Sequence, residues 1–151
     1  MANGLMYSAG FEAITVTDAA QDIIFLATSS AVPILIHEIN LSASDTTDIR
    51  ARIRILRRSS AGSGGTAVTA RPLNPRNTVS AATTVTTIRT TPGTADEVLE
   101  GHRWSLLVPF QRLYVPEDRV YVPVSDYLAI ELVAGTGASR TVSGSVTFEE
   151  L

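Results

Sequence analysis

The sequence predicts an all-β domain, most consistent with a two-sheet antiparallel sandwich, a jelly roll of about eight strands. Apolar and polar residues alternate with a period of two in successive segments, which places one face of each strand on a core. Thr and Val, which are favoured in strands, are abundant, and no long segment has the 3.6-residue period of a helix. An immunoglobulin-like sandwich is the alternative, without the Cys and Trp spacing of that fold, and an up-and-down barrel comes third.

The chain length of 151 residues suits one domain. We expect an N-terminal arm over residues 1–11 and a single sandwich domain over residues 12–151. The arm carries four large apolar side chains, more than a free tail needs, so we expect it to pack on its own domain or on a neighbour. These are Leu5, Met6, Tyr7 and Phe11.

The first half of the chain contains four predicted strands. They cover residues 13–17, 21–28, 32–41 and 49–58, and the last two are expected to form a hairpin around the turn-favouring loop SASDTTD. In the third strand, alternation groups Leu35, Ile39 and Leu41 with His37 on one face.

The second half begins with a Gly/Ser-rich loop at residues 59–65, predicted to be flexible. One long or two short strands near an edge, with a bulge, are expected within residues 78–91, and at most one helical turn at residues 96–100. The aromatic block of residues 102–133 contains the only Trp. In it Trp104, Leu106, Val108 and Phe110 alternate, which predicts a buried face, and further strands follow at residues 120–124, 128–132 and 141–149.

Arginines alternate with apolar residues along residues 49–58. Arg50, Arg52 and Arg54 are predicted to face outward, about 6.5–7 Å apart, where they repel one another unless acidic groups pair with them. A neighbouring strand, for example at Glu131, or an adjacent subunit would supply those groups. The alternatives are a solvated face that opposes aggregation and a phosphate-binding face.

Known catalytic and metal-binding patterns are missing from the sequence. There is no Cys, and His37 and Glu38 are adjacent in a strand, so that they point to opposite faces. No GxSxG motif, phosphate loop or cupin-type His cluster occurs, and loop carboxylates are interpreted as solvated. We therefore expect no catalytic residue, no cofactor and no metal, and a protein that is not an enzyme.

Charge and hydropathy exclude two further classes of partner. The net charge is −3, and no basic stripe is interleaved with aromatics, which argues against nucleic-acid binding. The N-terminus lacks the charged and apolar regions of a signal peptide, and the longest apolar run, residues 23–27, is too short to cross a bilayer.

Three segments carry a resemblance: RILRRSSAGSGGTAVTARPLNPRN, VPEDRVYVPVSDYLAIELV and the closing TVSGSVTFEEL. From about residue 49 to residue 151 the chain resembles small β-rich virion proteins of tailed bacteriophages, in particular capsid decoration (cement) proteins with a jelly-roll-like domain. The resemblance implies a non-enzymatic structural protein that is made in the host cytoplasm and bridges capsid subunits on the capsid exterior. Its implied partners are the major capsid protein and copies of itself, as a trimer or dimer, without nucleic acid, membrane or small-molecule substrate.

Two alternatives to this function remain open: a carbohydrate-binding module of a tail or fibre, and a structural protein of the tail or of head completion. In the favoured interpretation, apolar anchors and Arg–carboxylate pairs contact the neighbours. The interface candidates are Leu5, Met6, Tyr7, Phe11, Arg50, Arg52, Arg54, Tyr114 and Glu117.

Overall fold

The computed structural model describes residues 4–133 and 139–151, and these residues form twelve strands and one short 3-10 helix. The helix covers Pro116–Asp118. The strands are β1 Leu5–Val16, β2 Gln21–Ala27, β3 Ile34–Ala43, β4 Arg50–Arg58, β5 Thr66–Val68, β6 Arg71–Pro72, β7 Thr84–Thr87, β8 Ala95–Ser105, β9 Phe110–Leu113, β10 Val120–Val122, β11 Tyr127–Val133 and β12 Arg140–Glu150.

The strands form two antiparallel sheets that pack face to face, which confirms the predicted sandwich. The first sheet has the order β6-β1-β12-β3, and β9 and β10 lie one after the other along the free edge of β3. The second sheet has the order β5-β7-β2-β11-β4-β8.

The connectivity is that of a jelly roll. If β5–β7 are set aside and β9 and β10 are counted together, the eight strands in chain order are arranged 1-8-3-6 in one sheet and 2-7-4-5 in the other. The predicted hairpin of β3 and β4 is wrong, because the two strands belong to different sheets and β4 pairs with β8 and β11 instead.

The connection between β4 and β8, residues 59–94, crosses the outer face of the second sheet and adds strands at the far edges of both sheets. Ser63 and Thr91 exchange backbone hydrogen bonds of 2.9 and 3.2 Å. Gly65 has a φ of +93°, and a Cβ there would meet the Thr87 carbonyl oxygen at 2.5 Å. The loop predicted to be flexible, residues 59–65, is therefore tied by hydrogen bonds to residues further along the connection.

The core lies between the sheets and consists of inward-facing aliphatic and aromatic side chains. Trp104 is buried, as predicted, and its indole N–H donates to the Val108 carbonyl at 2.6 Å. Each fully buried Ile or Leu stabilises the fold by about 1.5–3 kcal/mol. The buried face predicted for Trp104, Leu106, Val108 and Phe110 does not include Val108, which lies in the turn after β8 and is exposed.

A β-bulge in β3 corrects the predicted faces of that strand. Pairing with β12 shifts by one residue, so that Thr147 is opposite Glu38 while Phe148 is opposite Ile36. The extra residue brings Ile36 and Ile39 to the same buried face, whereas alternation alone separates them. His37, at the bulge, contacts the Glu149 carboxylate at 3.0 Å.

Two further predictions of local structure were wrong. Strand β1 runs across the proposed boundary at residue 11 and pairs with β12 from Leu5 onward, so the described part of the predicted arm belongs to the sheet. Residues 1–3 lie outside the described residues. The predicted helical turn at residues 96–100 is the first half of β8, held in extended form by β4.

Candidate docking surface

The outward side of β4 and β8 carries the most exposed arginines of the second sheet. Alternation placed Arg50 and Arg52 outward correctly, and both are exposed. Arg52 lies directly opposite Arg103 of β8, which is also exposed. We call Arg50, Arg52 and Arg103 the arginine surface.

Arg103 was missed by the sequence reasoning. The local signal was present, because an inward Trp104 requires an outward Arg103 in an extended strand. Its position opposite Arg52 depends on which strand pairs with β4, and the hydrophobic pattern does not specify that.

Arg54, the third predicted outward arginine, forms an ion pair within the chain. Its Nη2 lies 2.6 Å from the Glu131 carboxylate, on the neighbouring strand β11, and its Nε donates to the same oxygen at 2.8 Å. Glu131 is opposite Arg54 in the strand register, as the alternation had suggested. The Arg54 side chain is therefore half-buried and paired within the chain, and it is not part of the arginine surface.

The ion pair of Arg54 continues into a buried network beneath the connection. Arg58 donates to both oxygens of Asp22, at 2.5 and 3.0 Å, and to Glu131 at 2.9 Å. Burial raises the pKa of Asp22, and the hydrogen bonds from Arg58 offset this only in part. Burial opposes the charge of Arg58 as well, but hydrogen bonds to two carboxylates outweigh it and raise the pKa of this arginine.

The arginine surface, by contrast, is poorly paired. Among residues 4–133 and 139–151, the side chains of Arg52 and Arg103 make no hydrogen bond or ion pair, and the Arg50 side chain reaches only Asp48 at 4.0 Å. Like charges directly opposite one another in a sheet are destabilising. The guanidinium groups of the arginine surface are therefore available to pair with carboxylates.

The apolar candidates near the N-terminus are divided between the surface and the core. Leu5 is exposed, and Met6 and Phe11 are half-buried. Tyr7 is 0% exposed, stacks on Phe148 and donates to the Val79 carbonyl at 3.1 Å. Its assignment as a surface anchor is corrected, because β1 alternates through this region and turns Tyr7 inward.

Tyr114 was also assigned to an interface and belongs to the core. It is 3% exposed, and the Arg112 guanidinium lies 4.3 Å from its ring centroid. Burial and the nearby Glu100 carboxylate raise its pKa.

The exposed groups in this region are the neighbours of Tyr114. Leu113, Val115 and Tyr121 are 62%, 53% and 47% exposed. Glu117 was predicted as a contact and is exposed in the 3-10 helix next to Asp118, which is exposed too. We call Leu113, Val115, Glu117, Asp118 and Tyr121 the acidic edge.

Glu100 links the two sheets below the acidic edge. Its carboxylate accepts from Arg112 of β9 at 3.0 Å and contacts the His102 ring at 2.8 Å. Burial favours the neutral acid, but these hydrogen bonds together outweigh it and lower the pKa of Glu100. This cluster ties β8 to β9 and fixes the two surfaces relative to each other.

No group of three or more His, Cys, Asp and Glu side chains within the described residues is arranged to hold a metal ion. A cavity of about 410 Å³ lies beside β5 and β7, lined mainly by Ala, Val, Thr and Ser, with Arg71 as its charged side chain. Among the described residues, no helix has the length and apolar character needed to cross a membrane.

Comparison with models of protein families, with curated proteins and with solved structures finds no match to this chain. The fold and its surface charges together describe a jelly-roll sandwich with an arginine surface on one sheet and an acidic edge on the other.

Proposed function

We propose that this protein is a non-enzymatic structural component of a tailed-phage particle, a capsid decoration protein that bridges capsid subunits on the outside of the head. The observation that carries the docking role is the exposed, poorly paired arrangement of Arg52 opposite Arg103. A sheet that holds two guanidinium groups side by side loses stability as an isolated molecule and regains it when carboxylates bind.

Rigidity supports this role. The arginine surface rests on β4, which is paired on both sides and anchored by the buried network of Arg58, Asp22 and Glu131. A docking surface on a rigid sheet loses little conformational entropy when it binds. The planar guanidinium fork also pairs with a carboxylate through two hydrogen bonds, which favours a defined orientation of the partner.

The assignment to a phage particle is supported by the resemblance of residues 49–151 to tailed-phage virion proteins. A jelly-roll sandwich is a frequent architecture of viral coat components. The proposed partners are the major capsid protein and further copies of the chain.

The test is the composition and structure of the particle. Particles of the phage that encodes this chain are purified and analysed by mass spectrometry, and the density of the chain is located by electron cryo-microscopy. We expect the chain in stoichiometric amounts on the head exterior. Density in the tail or at the head vertex would instead support the tail or head-completion role. Absence from the particles, with binding on a glycan array, would support the carbohydrate-binding alternative.

A further inference from the structure

Charge differs between the outward side of β4 and the part of the first sheet that β3, β9 and β10 form. Strand β4 contains five arginines in nine residues, and four of them, Arg50, Arg52, Arg54 and Arg58, lie on its outward face, where the connection covers Arg58. On the other sheet, β3 and β10 contain no arginine, and Arg112 of β9 is bound to Glu100. The outward groups there include Glu38 and Glu149.

The acidic edge lies on this part of the first sheet. Tyr121 is opposite Leu35, while its neighbours Val120 and Val122 are opposite the buried Ile36 and Ile34, so Tyr121 points outward. Glu117 and Asp118 are both exposed, and Arg119, which follows them, is half-buried. Three exposed apolar side chains and two carboxylates therefore lie on β9, β10 and the segment between them, along the free edge of β3.

A matching set of groups surrounds the arginine surface. The Leu106 N–H donates to the Ile49 carbonyl at 2.9 Å, which holds the turn after β8 beside the start of β4. Leu107 and Val108 in that turn are exposed. The arginine surface thus has apolar neighbours that can contact the apolar part of an acidic edge, while its guanidinium groups meet the carboxylates.

We propose that the arginine surface of one copy binds the acidic edge of a second copy, in a head-to-tail contact. This inference rests on the docking role proposed above and names the partner at that surface. The contact joins two different surfaces, one on each sheet, and therefore differs from the self-complementary contact of a two-fold dimer. A contact between two different surfaces repeats from copy to copy and closes into a ring when the rotation permits.

Sedimentation velocity of the purified full-length protein over a range of concentrations tests the proposal. We expect the wild-type mass to rise with concentration and the association to weaken with added salt, since salt screens exposed charges. The basic-side variant carries Arg52→Glu and Arg103→Glu, and the acidic-side variant carries Glu117→Arg and Asp118→Arg. Each is expected to associate about tenfold or more weakly, because like charges then face each other across the contact.

Combination of the variants identifies the partner surface. All four substitutions on one chain are expected to restore association, because both sides of the contact are reversed together. A mixture of the two variants is expected to form complexes that neither forms alone. Arg71→Glu with Arg76→Glu, at two exposed arginines of the connection, changes the net charge by as much as the basic-side variant does and is expected to associate like the wild type. Circular dichroism confirms that each variant is folded.

A monomeric wild type, unchanged association of either reversed variant, or failure of the four-fold variant to recover would each overturn the inference. The composition of the particles tests the proposed function independently of the contact between copies. A chain that is monomeric in solution but present on particles contradicts the head-to-tail contact and leaves the proposed function standing. A chain that associates through these surfaces but is absent from particles contradicts the proposed function alone.

Discussion

Arg58 donates two hydrogen bonds to Asp22 on the outer face of the second sheet, and both side chains are buried there. They are covered because the connection of residues 59–94 passes over them, with the Gly93 carbonyl accepting from Arg58 at 2.9 Å. Phe25, Leu56 and Ala129 form a small second core beside the network. The sheet is thus packed on both sides at this point, and its outward arginines are held on a rigid base.

Removal of Asp22 should reveal how much this network contributes. Asp22→Ala leaves Glu131 as the one carboxylate described at Arg58, and we expect a loss of about 3–5 kcal/mol in the free energy of unfolding, as for other broken buried pairs. Urea unfolding measures this loss in the free energy of unfolding. The control Asp96→Ala removes an exposed carboxylate and should change stability by less than about 0.5 kcal/mol. Equal effects of the two substitutions would contradict the structural role of the buried pair.

Period-two alternation was sufficient to predict the sandwich and the outward positions of Arg50, Arg52 and Arg54. Glu131 was named only as one example of an acidic partner, and the structure pairs it with Arg54. Alternation failed at β3, where the bulge at His37 brings Ile36 and Ile39 to one face. A bulge is set by pairing with a distant strand, here β12, and leaves no local signature in the sequence.

Long-range pairing also explains the other errors. Residues 95–105 form one strand because β4 pairs along their full length, and this overrides the weak helical tendency of the segment. Tyr114 follows a short strand whose edge position was not predictable, so its burial beneath Arg112 was missed. The burial of Asp22 and Arg58 beneath the connection also depends on contacts between distant segments, so alternation could not predict it.

Two glycines offer a matched test of the connection. A Cβ at Gly93 would overlap the backbone carbonyl of Ser60, whereas a Cβ at Gly101 in β8 has open space around it. We expect Gly93→Ala to destabilise the protein by about 1–3 kcal/mol through overpacking. Gly101→Ala should be neutral or stabilise by up to about 1 kcal/mol, because alanine restricts the unfolded chain. Thermal unfolding of both variants distinguishes them, and equal melting temperatures would show that the connection is not packed as described.

Glu100 should make the edge between the sheets sensitive to acid. Its pKa is lowered in the folded protein from 4.5, because the hydrogen bonds from Arg112 and His102 outweigh burial. The stabilisation is therefore present above about pH 4.5 and is lost as the pH falls through the lower folded pKa. Glu100→Gln should lower the free energy of unfolding at neutral pH. It should also flatten the decline of that free energy below about pH 4.5. Urea unfolding at a series of pH values measures both effects. An unchanged slope in the variant would exclude Glu100 as a source of the acid sensitivity.

The arginine surface predicts opposite effects on stability and on docking. Arg103→Gln removes one of two like charges that face each other across β4 and β8, so we expect the isolated protein to gain about 0.2–1 kcal/mol. The same substitution should weaken self-association in sedimentation velocity, because a carboxylate partner loses one guanidinium. Arg54→Gln is the contrasting control: it removes both donors to Oε1 of Glu131 and should destabilise the fold by about 1.5–3 kcal/mol. If Arg103→Gln destabilised the isolated protein as much as Arg54→Gln does, Arg103 would have a structural role and not a docking role. A gain in stability together with a loss of association is the result expected of a residue kept for binding at the expense of the fold.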